Sequence, residues 1–154
     1  MKKYELTTEC KEFLGRKLYR IKALTSFSDV KEGDLGGWIE KEENLSQEGN
    51  TWVYGNATVY GNAMVYGNAE IKKKTHLLEI GFIGSRDDVT TFFRTKDEEI
   101  FVKCGCFKGN IDEFEKQVQE VHGDDKHGRV YALAIAMARE QIELDDEDVE
   151  EEDE

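Results

Sequence analysis

The chain has 154 residues, 38% of them apolar, and a formal charge of −13, which suits one ordinary domain or two small ones sharing a core and excludes a disordered protein. Most of the charge is local: residues 143–154, ELDDEDVEEEDE, hold ten acidic residues and no basic one, leaving residues 1–142 with 21 basic against 24 acidic side chains. No run approaches the roughly 18 apolar residues of a membrane span, and MKKYELTTECKEF lacks the apolar core of a signal peptide, so a cytoplasmic protein without a membrane partner is expected.

Residues 17–24, KLYRIKAL, read as a strand in which Leu18, Arg20, Lys22 and Leu24 alternate with Tyr19, Ile21 and Ala23. TSFSDVKEGDLGGW follows, with Gly33, Asp34, Gly36 and Gly37 as turn residues. From 53 to 70 the chain then repeats VYGNAT, VYGNAM and VYGNAE. Val53, Val59, Val65 and Ile71 recur every six residues, and Ala57, Ala63 and Ala69 stand four places after each of the first three. That hexapeptide pattern points to a short left-handed parallel β-helix, with the aliphatic and small residues inward and Gly-Asn at the corners. Ile39 and Leu45 extend the spacing upstream into an irregular second coil with a bulge at Gly49 and Asn50. Two coils bury too little to stand alone, so the ends need covering or an oligomer through the helix faces or ends.

KKKT at 72–75 breaks the pattern. HLLEIGFIG, VTTFFRT and EIFVKCGCF then read as a three-stranded antiparallel sheet. Asn110 with Glu113 is a capping box for a helix that presents Ile111, Phe114, Val118 and Val121 on one side. A second helix, from about Arg129 to Glu143, presents Val130, Leu133, Ala134, Met137, Ala138 and Ile142 to a core. The expected fold class is mixed β and α+β: strands and a short β-helix over 1–75, a β-β-β-α-α domain over 76–142, and a disordered acidic tail over 143–154.

LYRIKAL, GDLGGWIE, the VYGNA repeats, IGSR, KCGCF and HGDDKH occur here in that order. In this the chain resembles a family of small proteins encoded by phages and prophages of Gram-positive bacteria. The resemblance covers nearly all of residues 15–142 and implies no defined reaction. It does imply a counter-defence role of the anti-CRISPR type, with a host defence nuclease or its guide RNA as partner.

Several constellations could carry chemistry. Tyr54, Tyr60 and Tyr66 follow the inward aliphatics and, with Trp52 and Trp38, form an aromatic surface able to bind a protein or nucleobases, unless the C-terminal domain packs over them. Three cysteines, an odd number, speak against a disulfide framework. Cys104, Cys106, His122 and His127 have the ligand types zinc takes, although a buried thiol pair needs no cofactor. In HGDDKH, His122, His127 and Lys126 could cleave RNA by acid/base chemistry or bind phosphate, with Arg86 and Arg94 supplying charge; the alternative is a capped interhelical loop. The tail carboxylates, among them Asp145, Asp146, Glu147 and Asp148, could occupy a basic nucleic-acid channel or serve only solubility. A hexapeptide acyltransferase is the remaining reading, weakened because the repeats hold no histidine and His76 lies just past them. A non-enzymatic binding protein is favoured, with ribonuclease activity as its rival.

Overall fold

The computed structural model describes residues 2–145. Two long strands, β1 (Tyr4–Phe13) and β2 (Arg16–Ala23), form an antiparallel hairpin. Leu14 and Gly15 turn it with φ of 52° and 76°, the positive-φ pair that matches the twist of the flanking strands. Strand β3 (Leu35–Ile39) pairs antiparallel with β2 on one edge and parallel with the two-residue β5 (Thr58–Val59) on the other. Two further short strands, β4 (Trp52–Val53) and β6 (Glu70–Ile71), pair parallel, and Leu45 bridges Val65 in the same sense.

The parallel β-helix expected from the repeats is corrected by these pairings. Among the described residues the pairing is mostly antiparallel and no solenoid forms: their parallel pairings are β3 with β5, β4 with β6 and the isolated bridge of Leu45 with Val65. The physical reason lies at the edges. Antiparallel β2 already occupies one side of β3, and on the far side Ala69 bridges antiparallel to Thr95, so the rungs are capped before a solenoid can build. The inward direction of the repeat residues does hold. Val53, Ala57, Val59, Ala63, Val65, Ala69 and Ile71 are all buried in one cluster with Tyr4, Ile21, Ile39 and Trp52.

Two local devices hold this half. Gly36 and Gly37 lie so close to the repeats that a Cβ on the first would sit 2.6 Å from Trp52 Cζ2 and on the second 2.5 Å from the Ala57 carbonyl oxygen; GDLGGW is therefore a close-approach motif more than a turn. Asn44, fully buried, accepts hydrogen bonds from the Glu40 and Lys41 amides and donates to the Gly61 and Ala63 carbonyls.

The second half is a four-stranded antiparallel meander, β7 (Leu77–Ile83), β8 (Asp88–Arg94), β9 (Ile100–Cys104) and β10 (Phe107–Asn110), in the order β10-β9-β8-β7. The expected third strand thus divides in two, because Gly105, at φ 57°, turns the chain inside KCGCF. Helix α1 (Ile111–Val121) starts at the Asn110–Glu113 capping box and buries Ile111, Phe114 and Val118. Helix α2 (Lys126–Gln141) buries Gly128, Tyr131, Ala134, Ile135 and Ala138. Ala134, Ala138 and Ile142 are buried as expected, but Leu133 and Met137 face solvent, and Tyr131 and Ile135 take the remaining core positions.

Between the two halves, Arg94 forms a 2.7 Å ion pair with Glu70, both nearly inaccessible. Tyr66 packs edge-on against Phe93 and donates its hydroxyl to the Val102 carbonyl. No helix among the described residues is long and apolar enough to cross a membrane.

Candidate ligand-binding cleft

Three separate sequence motifs meet at one place. The β7–β8 turn brings Ser85 and Arg86, the β9–β10 turn brings Cys104, Cys106 and Phe107, and the end of α1 brings His122. Together they line a cleft of about 310 Å³, floored by Phe114, Val118 and Tyr131 and edged by Asp88. That volume lies at the lower end of the range for small-ligand sites, and a mostly apolar wall with a few polar groups is their usual composition.

The floor is built by close contacts. Gly84, at φ 85°, leaves room for the Tyr131 hydroxyl, which would clash with any Cβ there. That hydroxyl lies 3.6 Å from Cys104 Sγ, and the sulfur accepts from Thr90 Oγ1 at 3.3 Å. Burial raises the Tyr131 phenol well above its ordinary value, so it is a neutral hydrogen-bonding group at neutral pH. The His122 ring lies over Tyr131, tilted by 35° at 5.8 Å, and Nδ1 is 3.4 Å from Asp125 Oδ2.

HGDDKH is first of all a tight helix–helix turn. Gly123, at φ 55°, lets its amide reach the Val118 and Gln119 carbonyls and end α1. Asp125 caps α2 by accepting from the Gly128 amide at 2.8 Å, and that bond, with His122 second, holds its carboxyl below the ordinary value. Lys126 is the exposed first residue of α2, and His127 stands edge-on to His122 with ring centroids 5.6 Å apart. Only His122 of the HGDDKH set lines the cleft. No group of three or more His, Cys, Asp or Glu among the described residues is arranged to hold a metal ion, so Cys104, Cys106, His122 and His127 do not close into a zinc site.

The remaining candidates lie elsewhere. Trp52, expected on the surface, is 2% exposed and packs against Tyr4 and Phe27. Trp38 is also buried, with Lys11 and Arg20 over its ring. Tyr54 is half-buried and donates to Asp29; Tyr60 meets Phe13 and Arg16; Tyr66 lies under the second sheet. The aromatic residues are thus divided among separate packing contacts instead of forming one open surface. Arg94 is committed to Glu70 and to the Leu144 carbonyl. The Asp145 carbonyl meets His76, and Asp146, Glu147 and Asp148 lie outside the described residues.

His76, the histidine nearest the repeats, is fully buried. Its Nδ1 accepts from the Lys72 amide at 3.0 Å, and its Nε2 lies 2.9 Å from the Asp145 carbonyl, which makes Nε2 the protonated nitrogen. Burial holds the ring below its ordinary pKa. With both nitrogens engaged, it is a structural group and has no free lone pair for use as a general base.

No family model matches the chain. It is similar to the "Uncharacterized acetyltransferase YdcK" of Escherichia coli (strain K12), 44% identical over 62 residues, a match that covers 35% of this chain. The chain spans 19% of that relative's length.

Tyr131, Phe107 and Asp88 were not among the residues singled out from sequence, and Phe114 was read only as part of the apolar face of α1. The available signal for Tyr131 was its place in the 131, 134, 135, 138 stripe, which competes with the equally apolar 130, 133, 137 stripe on the same helix.

Proposed function

We propose that this chain is a binding protein whose recognition site is the Arg86–His122 cleft, with the hexapeptide segment as its scaffold. The observation that carries the reading is the convergence of GSR, KCGCF and His122 on one concavity. The chemistry suits a compact ligand with an aromatic or apolar body and a phosphate. Phe107, Phe114 and Val118 offer the apolar wall, Arg86 a bidentate donor and His122 a single further N–H at Nε2. Asp88 at the rim can accept from an amino group on the same ligand. The counter-defence role implied by the resemblance would make that ligand part of a host defence system, with guide RNA as the larger form of the same chemistry.

Calorimetric titration with adenosine monophosphate, inorganic phosphate and a guide-length RNA tests this. Saturable binding of the nucleotide or the RNA, weakened at least tenfold by Arg86→Ala and by His122→Ala, is the expected result. Binding of none of the three probes, or binding untouched by both substitutions, overturns the reading.

Acyl transfer is the second reading, favoured by the local match to the E. coli acetyltransferase. Incubation with acetyl coenzyme A and an amine acceptor separates the two, since a binding protein holds the thioester without releasing free thiol. Shortening of the RNA in the first titration, abolished by His122→Ala with His127→Ala, would instead indicate a ribonuclease.

A further inference from the structure

Helix α2 is apolar on two sides. Tyr131, Ala134, Ile135 and Ala138 face the core. At 100° per residue the opposite side carries Lys126, Arg129, Leu133, Ala136, Met137 and Glu140, all exposed. Leu133 is 71% exposed and Met137 54%, a pair at i, i+4 that forms one outward apolar strip. A surface helix ordinarily has a single apolar stripe, and a second stripe of this kind marks a contact surface.

The charges around the strip indicate what covers it. Lys126 and Arg129 stand at its N-terminal end and Glu140 at its C-terminal end. Arg129 donates one N–H to the Asp124 carbonyl and keeps its outer face exposed; no ion pair engages Lys126 or Glu140 among the described residues. Such a face is complementary to itself, but only when reversed.

We propose that two copies of this chain pair through this face, their α2 helices antiparallel, with the two-fold axis at the level of Ala134 and Ile135. In that register Arg129 of each copy faces Glu140 of the other. Leu133 faces Ala136, and Met137 lies beside that contact. The alanine leaves space for the larger side chains, as ridge-into-groove packing requires. A parallel pairing sets Arg129 against Arg129 and Glu140 against Glu140, so the charges select the antiparallel arrangement. A 16-residue helix pairing alone buries less than the roughly 1,200 Å² of a standard interface, so the association is weak and concentration-dependent. The surface is separate from the cleft, and the inference stands independently of the proposed ligand.

Sedimentation equilibrium of the full chain from about 1 to 300 µM, a range chosen to bracket a micromolar association, tests it. A reversible dimer is expected, weakened at least tenfold by Leu133→Glu, by Arg129→Glu and by Glu140→Arg. The double variant Arg129→Glu with Glu140→Arg restores it, because the reversed charges again match. A monomer at every concentration overturns the proposal. So does a dimer that Leu133→Glu and the single charge reversals leave unchanged, since its interface must then lie elsewhere. All the altered residues are exposed, and far-UV circular dichroism confirms that each variant is folded when its mass is read.

Discussion

Asn44→Leu removes the side chain that uses its whole hydrogen-bonding capacity in the core of the first half. The amide oxygen accepts from the Glu40 and Lys41 N–H groups at 3.2 and 2.9 Å, and the amide nitrogen donates to the Gly61 and Ala63 carbonyls at 3.1 and 2.8 Å. Leucine is close in volume but can satisfy none of the four. Each buried polar group left without a partner costs about 1–3 kcal/mol. The Lys41 and Glu40 amides lie in a half-exposed turn that water can reach, whereas the Gly61 and Ala63 carbonyls point at a fully buried site. The two carbonyls therefore dominate, and a loss of about 3–5 kcal/mol is expected, a large part of the roughly 5–15 kcal/mol of a whole domain. Urea unfolding followed by circular dichroism measures it. With a slope of about 1–3 kcal/mol/M, the midpoint should fall by about 2 M. A loss below about 1 kcal/mol would show that the carbonyls find other partners and that Asn44 does not organise the segment.

Other outcomes follow from the same physical reasoning. Arg94→Met leaves the buried Glu70 with the more distant Lys72, 3.7 Å away, as its cation and should cost about 3 kcal/mol, the lower end for a broken buried pair, while Arg94→Met with Glu70→Leu should recover part of that loss; equal losses for the single and double variants would count against the pair. His76 takes its neutral form in the fold, and burial depresses its pKa below the ordinary value of about 6.5. The unfolded chain therefore takes up that proton first on acidification. The stability is present above about pH 6.5 and is lost as pH falls through the depressed folded value. Unfolding free energies between about pH 8 and 5 should fall less steeply for His76→Gln than for the wild type, and equal slopes would refute this reading. Gly84→Ala forces a positive-φ backbone on a residue that disfavours it and drives its Cβ into the Tyr131 hydroxyl. A loss of about 2 kcal/mol or more is expected, together with loss of the Tyr131 ring-current shift on the His122 proton resonances; an unchanged His122 spectrum would mean that the cleft floor has not moved.

Short-range features were legible in the sequence because they depend on neighbours within a few residues. The burial of Val53, Val59, Val65 and Ile71 follows from the six-residue period, and the Asn110–Glu113 cap needs only its own turn. The division of KCGCF at Gly105 was less visible, since the apolar run masks a positive-φ turn. The phase of α2 was ambiguous for a different reason: both of its sides are apolar, so periodicity alone could not say which one meets the sheet.

Which repeat residues point inward, where α1 begins and the near balance of charge over residues 1–142 all follow from the amino-acid order alone. Strand partnership was a tertiary decision, because a period of six specifies which way a side chain faces and not which edge its backbone will pair with. Antiparallel β2 beside β3 and Thr95 beside Ala69 settled that, and so ended the repeats short of a solenoid. The cleft was decided in the same way. Arg86, Cys104 and His122 are separated by up to 36 positions, and only the sheet turns and the helix crossing bring them to one wall, since a side chain's chemistry is encoded locally while its neighbours across the fold are not.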